Sequence, residues 1–267
     1  MFRNVGLKTY NDYKRSLIYW SLGLIGTVAL LMAMYPTVRE SSAQLTEYID
    51  QMPEAMQAMF AGGSEDYSSP VGFLSAELFE FMLPLLFAIL TIGMGARAIA
   101  GEEERGTLDL LLSTPIRRRS IVLQKFVAMI AALATLAAIT WAALVVGAQL
   151  ADMEISVLRL TQATIACSLL ALALGTLSLA IGAVSGSRAA AIGISSAIGV
   201  AAFLANALAR IADWLEPWRL LSWFHYYSDS EPLRYGLDGL HVGVLATSAV
   251  VLVFLAVLGF DRRDVHA

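Results

Sequence analysis

Hydrophobic positions along this chain form long unbroken runs instead of the alternating stripes of a water-soluble domain. Residues 16–38, 81–96, 126–151, 160–187, 189–209 and 239–260 contain no Asp, Glu, Lys or Arg. A helix rising 1.5 Å per residue needs about 20 such residues to cross a hydrocarbon core ~30 Å thick, so each run predicts a membrane span. The second run is short by that count, but Glu77 and Glu80 can extend it into one interface while Arg97 snorkels at the other. With their flanks the predicted spans are 16–38, 77–100, 121–151, 160–186, 188–212 and 239–260. The predicted fold is an all-α polytopic membrane protein with six transmembrane helices.

Composition agrees with lipid as the main solvent: 58% of residues are hydrophobic, 15% are charged and the mean hydropathy is +0.67. Six spans put both termini on one side, and the positive flanks decide which, because Lys and Arg are retained in the cytoplasm. An inside N-terminus leaves Arg3, Lys8, Lys14, Arg15, Arg97, Arg105, Arg117, Arg118, Arg119, Lys125, Arg188, Arg262 and Arg263 inside, 13 of the 18 basic residues. Only Arg39, Arg159, Arg210, Arg219 and Arg234 fall outside, together with most of the acids. The expected orientation is N-in, C-in. The net charge of −4 averages two faces of opposite sign and implies no nucleic-acid footprint. Cys167, the single cysteine, lies within the fourth span, where packing is its expected role. Ser41-Ser42-Ala43 faintly resembles a signal-peptidase site, but the apolar run before it is too long for a signal segment of ~7–15 residues and reads as a retained helix.

The connections add several elements. Residues 1–15 mix aromatics with Arg3, Lys8, Lys14 and Arg15, which suits either an interfacial helix or a plain positive flank. The outer segment 39–76 has Leu45, Tyr48, Ile49, Met52, Met56, Met59 and Phe60 at helical spacing, interrupted by Pro53, so an amphipathic helix is expected there. Its methionines fit a buried stripe better than a soft-metal site. Residues 213–238 are rich in Trp and Tyr and predict a re-entrant or interfacial pair of short helices. Gly182 and Gly186 have the small-xxx-small spacing that permits close helix contact. Glu77 and Glu80, one turn apart at the outer end of span two, either line an exit, as a possible outer gate, or simply solvate the interface. Residues 261–267 form an inner tail.

The densest charge lies in 101–120, where Glu102-Glu103-Glu104 precedes Arg105-Gly106-Thr107 and Arg117-Arg118-Arg119 follows Pro115. Leu108, Leu111 and Leu112 fall at i, i+3 and i+4 and share one side of a short helix, with Thr107 placed to cap its start and Asp109 favoured in its first turn. Exposed leucines in a polar loop ask for a binding surface on a partner. The three arginines meet lipid phosphates or partner acids, or serve only to set topology.

The stretch Glu103-Glu104-Arg105-Gly106-Thr107-Leu108-Asp109-Leu110-Leu111-Leu112-Ser113-Thr114-Pro115-Ile116-Arg117-Arg118 closely resembles the E-E-x-x-G-T-L-x-x-L-L-S-x-P-x-x-R pattern of ABC-2 type ABC transporter permeases. Ser187-Arg188 before an Ala/Gly-rich span and Phe260-Asp261-Arg262-Arg263-Asp264 at the last one extend the likeness to nearly the whole chain. The resemblance implies a permease of the prokaryotic plasma membrane that works with cytosolic ABC ATPase subunits and a second permease, a copy or a paralogue. It implies that Glu103, Glu104, Arg105, Gly106, Thr107, Leu108, Leu111, Leu112, Ser113 and Pro115 form the ATPase-coupling segment, with 106–115 as the coupling helix. It also implies an N-terminal interfacial helix, an outer re-entrant hairpin, and export of an amphipathic or lipid-like substrate. ATP and Mg would be bound by the partner ATPase, since Lys8, Lys14 and Lys125 are the only lysines here and none follows a glycine as a P-loop requires.

Other readings have weaker support. His225, His241 and His266 form no zinc motif, and Gly193-Ile194-Ser195-Ser196 is only loosely like a serine elbow, so an intramembrane enzyme is disfavoured. A secondary carrier or channel needs polar groups near the midplane, where this chain offers little beyond Asn206, Gln149 and hydroxyls. A permease serving metal-centre maturation is a further alternative.

Overall fold

The computed structural model describes residues 5–40, 52, 69–108, 113, 116–209 and 216–263. Among them the regular structure is entirely helical. In chain order come α1 (Val5–Glu40), α2 (Pro70–Leu74), a π-helix (Ser75–Met82), α3 (Leu83–Ala98), α4 (Ala100–Glu104), α5 (Arg118–Leu150), α6 (Val157–Ser185), α7 (Arg188–Leu208), α8 (Glu216–Arg219), α9 (Trp223–Ser228) and α10 (Gly239–Arg262). Six are long and apolar enough to cross a membrane when α2, the π-helix and α3 are taken as one. The chain is a multi-pass membrane protein.

Segment 5–15 is not a separate interfacial helix. It runs without a break into the first span, giving a helix of 36 residues, about 54 Å at 1.5 Å per residue. One buried seam joins both parts: Val5, Thr9, Tyr13, Leu17, Leu24, Val28 and Tyr35 recur at three- to four-residue multiples. That seam lies on α5, which runs parallel to it. Gly6 N–H donates to Gln124 Oε1 at 3.2 Å, Tyr10 Oη meets Thr135 Oγ1 at 3.0 Å, and Gly147 abuts the Met32 side chain. Tertiary contact with α5 therefore supports residues that composition alone assigns to the lipid surface. The expected amphipathic helix of the long connection lies in 41–51 and 53–68, outside the described residues. The span after it starts at Pro70, earlier than expected.

The bundle is built around α6. Of its most apolar window 67% is buried, against 22% in α7 and in α10, and α3, α5, α7 and α10 all pack on it. Its closest neighbour is α3, and the reason is small residues. Thr91 and Gly95 on α3 meet Ala171 and Gly175 on α6, so the two backbones approach closely enough for Thr91 Oγ1 to donate to Ala171 O at 2.7 Å. Ser178 Oγ donates back to Ile92 O at 2.9 Å. Cys167 sits fully buried on the same helix as a packing residue. Outward faces carry Ile18, Leu22, Leu30, Val127, Val250 and Phe254, all exposed, as a lipid-facing shell requires.

At one end of the bundle, α8 and α9 make the expected pair of short helices. They are tied down by side chains and are not a free loop. Ser222 Oγ donates to Ala202 O at 2.8 Å, Trp223 Nε1 to Ser248 Oγ at 3.1 Å, and Asn206 Nδ2 to Ser228 Oγ at 2.9 Å. Arg219 pairs with Asp229. Tyr227 Oη donates to Phe79 O at 2.5 Å, between Glu77 and Glu80 in the π-helix. Both glutamates are half-buried. The wider i→i+5 turn rotates positions three apart away from each other, so these two share a face less than α-helical spacing implies.

Candidate functional site

The opposite end of the bundle holds the charged segment, and its geometry starts with how α4 ends. Ile99 (φ −116°) breaks α3, and α4 runs for only five residues before Gly106 turns left-handed at φ +66°. Gly106 N–H donates to Glu103 O at 2.9 Å and Thr107 N–H to Glu102 O at 2.9 Å, the paired bonds of a Schellman cap. Only glycine takes that φ without strain. The Glu-Arg-Gly-Thr order is thus a helix stop, and it comes just before the segment that the leucine spacing marks.

Each of the three glutamates of α4 reaches a different part of the bundle. Glu102 accepts from Lys125 Nζ of α5 at 2.6 Å and from Thr107 Oγ1 at 2.5 Å, with Arg105 Nη2 3.5 Å away. Lys125 is 3% exposed and Glu102 12%, so this pair is largely out of water. Burial opposes the charged Glu102 carboxylate more strongly than any other single effect. The hydrogen bonds from Lys125 and Thr107, with the charges of Lys125 and Arg105, together outweigh it and hold the carboxyl below its ordinary range.

Glu103 holds Arg263, just past α10, in a two-pronged pair with Nη1 to Oε2 at 2.9 Å. The guanidinium lies against Gly186 in the α6–α7 turn. That residue is at φ +67°, and a Cβ there would overlap Arg263. Gly186 thus makes room for an arginine, a different role from the helix-contact motif expected of it. Glu104 Oε1 accepts the backbone N–H of Arg188 at 2.9 Å, at the start of α7. Through α4, the ends of α3, α5, α6, α7 and α10 are linked, and α1 joins through Gly6 and Gln124.

The remaining predicted residues divide clearly. Leu108 is 1% exposed and packs with Ile99, Ile121, Val122, Ala183 and Phe260, so it faces its own chain and anchors the segment, where the shared-face reading put it toward a partner. Leu111, Leu112 and Pro115 lie outside the described residues; Ser113 is exposed. Arg105 is 64% exposed and turns its Nε back to Gly101 O at 2.8 Å. Arg117 and Arg119 are exposed, whereas Arg118 donates to Phe260 O at 3.3 Å and Arg263 O at 2.7 Å, serving carbonyls that α10 leaves without helical partners. Glu102, Lys125 and Arg263 belong to this site and were not among the predicted members. Lys125 is the only Lys, Arg, Asp or Glu between 120 and 151, and a lone charge that far into a span asks for a carboxylate partner.

Because the Glu103–Arg263 pair is partly exposed, its removal has a moderate effect. Arg263→Ala should cost about 1–2 kcal/mol. The swap Glu103→Arg with Arg263→Glu should recover part of that loss in thermal unfolding, while Glu103→Arg alone should do worse than Arg263→Ala. A swap no better than its components would show that the pair contributes through packing alone.

Comparison with known proteins links this chain to a curated relative and to a family. Over 83 residues the chain is 41% identical to the "Probable ABC transporter permease protein NosY" of Pseudomonas aeruginosa. That match covers 30% of this chain and 29% of the relative, well short of either full length. The model of the family described as ABC-2 family transporter protein matches residues 4–265, and so takes in every span and the whole α4 hub. A match of that extent makes this chain a member of the ABC-2 transporter family.

Proposed function

We propose that this chain is the transmembrane permease subunit of an ABC transporter, oriented with the charged end and both termini in the cytoplasm, and that it exports an amphipathic or lipid-like substrate. ATP is hydrolysed by a separate cytosolic subunit, and two permease halves, identical or paralogous, enclose the path. Family membership supports the permease role, and the basic residues at the α4 end support the orientation.

One observation carries the mechanism. The segment after Thr107 leaves directly from the α4 hub, whose three carboxylates hold α5, the Arg263 tail with the α6–α7 turn, and the start of α7. Force applied to residues 108–115 by a nucleotide-driven partner therefore reaches α5, the start of α7 and the end of α10 through short, charge-assisted bonds, with Leu108 as the inner anchor. The carrier and channel alternatives lack a counterpart: Thr91, Thr140, Thr164 and Thr176 spend their hydroxyls on backbone carbonyls, and Lys125 is paired.

The test is the variant Leu111→Asp with Leu112→Asp, reconstituted with a cytosolic ABC ATPase subunit whose activity the unaltered chain stimulates. Docked leucines replaced by carboxylates should lower permease-dependent ATPase stimulation and transport about tenfold or more, with membrane insertion unchanged. Full stimulation by that variant would remove the coupling assignment.

A further inference from the structure

A groove of about 340 Å³ runs between α3 and α7, floored by Leu174 of α6. Its wall is aliphatic through Leu85, Ile89, Ile192 and Val200, and aromatic at the far end. There Phe81 and Phe203 stand 5.6 Å apart between ring centres, and Phe203 and Phe224 stand 5.4 Å apart. Ile89 is 51% exposed and Val200 57%, so the groove opens sideways to lipid. At the charged end it is closed by two arginines, Arg97 and Arg188.

Those two arginines differ from the ones that tie the hub together. Arg105, Arg118 and Arg263 each donate to a carboxylate or a carbonyl. Among the described residues neither Arg97 nor Arg188 forms a side-chain ion pair; Arg97 is exposed, whereas the Arg188 Nε is buried without an acceptor. Glu104 Oε1 accepts the Arg188 backbone N–H, not its guanidinium. A buried guanidinium donor left unmatched is costly, and a phosphate oxygen is the acceptor its planar fork fits best.

The dimensions agree. From Arg97 to Leu85 is about 18 Å along α3, close to half of a ~30 Å hydrocarbon core. An acyl chain whose head group rests on the arginines therefore follows the aliphatic wall to the level of Leu85, while a second chain stays in the bilayer.

We propose that this groove binds an anionic phospholipid of the leaflet at the charged end, its phosphate on Arg97 and Arg188 and one acyl chain along α3 and α7. As the class of exported cargo this rests on the transporter reading above; as a binding site it needs no ATPase.

The test uses the full chain in nanodiscs with phosphatidylglycerol carrying a diazirine on one acyl chain, against the phosphatidylcholine counterpart. Phosphatidylglycerol should label segments 85–97 and 188–203 about tenfold more strongly, the difference expected of about 1.4 kcal/mol from head-group contacts. Arg97→Gln with Arg188→Gln should erase that preference. Ile89→Trp, which fills the groove and leaves both arginines in place, should reduce labelling by either lipid. Equal labelling by the two lipids, a preference that survives the arginine variant, or labelling that survives Ile89→Trp would each overturn the assignment. So would a crosslink from Cys placed at position 89 to a second copy, formed with lipid excluded. Loss of labelling with ATPase coupling intact removes only this site, and the converse result removes only the coupling assignment.

Discussion

Lys125→Met should destabilise the protein by about 3–5 kcal/mol, toward the lower figure because Glu102 keeps some exposure. The substitution keeps the apolar stem that packs within the bundle and deletes the ammonium. Glu102 is then left as a largely buried carboxylate with the Thr107 hydroxyl as its remaining hydrogen-bond donor and the exposed Arg105 3.5 Å away. A buried pair gives little net stability when intact, since desolvation offsets most of the attraction, but breaking it exposes that desolvation cost. The double variant Lys125→Met with Glu102→Gln should therefore be more stable than Lys125→Met alone. Unfolding of the detergent-solubilised chain measures both, and equal destabilisation by the single and double variants would show that the charge pair is not the cause.

A pH dependence follows from the same site. The folded-state value of Glu102 is depressed, so its contribution is complete above the ordinary carboxylate range and is lost as pH falls through the lower, folded value. Acid should therefore destabilise the native chain more than Glu102→Gln, which has no carboxyl to protonate. Identical acid profiles for the two would contradict this.

Gly95→Val should be comparably damaging, about 3 kcal/mol or more, for a reason that involves no charge. A Cβ on Gly95 would overlap the Gly175 carbonyl oxygen and lie 2.8 Å from Leu179 N, both backbone atoms that cannot rotate away. From the other side, a Cβ on Gly175 would lie 2.6 Å from the Thr91 Cβ. Pushing α3 off α6 also breaks the Thr91–Ala171 and Ser178–Ile92 bonds, each worth about 0.6 kcal/mol in a membrane bundle. Thr91→Val, which removes one bond at nearly constant volume, should cost far less. A Gly95→Val chain that unfolds at the wild-type temperature would show that α3 and α6 do not cross at this point.

Hydrophobic runs without a charge can only be solvated by lipid or by one another, so the six apolar helices were legible from composition, and Glu77 and Glu80 fall in the helical run that contains the second. The pair of short helices at 216–228 followed from the interfacial preference of Trp and Tyr. The spacing of residues 5–15 did not show that they continue the first span, because what supports them is a seam on α5, more than a hundred positions away. The burial of Leu108 against its own chain was hidden for a related reason: periodicity shows which leucines share a face but not whether that face meets the same chain or another.

The sequence by itself determined the solvent, the number of crossings, the basic imbalance that argues the orientation, and the motif that marks the charged segment. These are properties of local composition and need no knowledge of neighbours. Only the tertiary structure decided which helix lies at the centre, that Gly95 and Gly175 let two backbones meet, and that Glu102, Glu103 and Glu104 hold separate parts of the bundle. Those outcomes depend on partners as distant as Arg263, 160 positions from Glu103. A charge can pair with any opposite charge that folding brings within reach, and helix packing selects the one that desolvation then makes costly to lose.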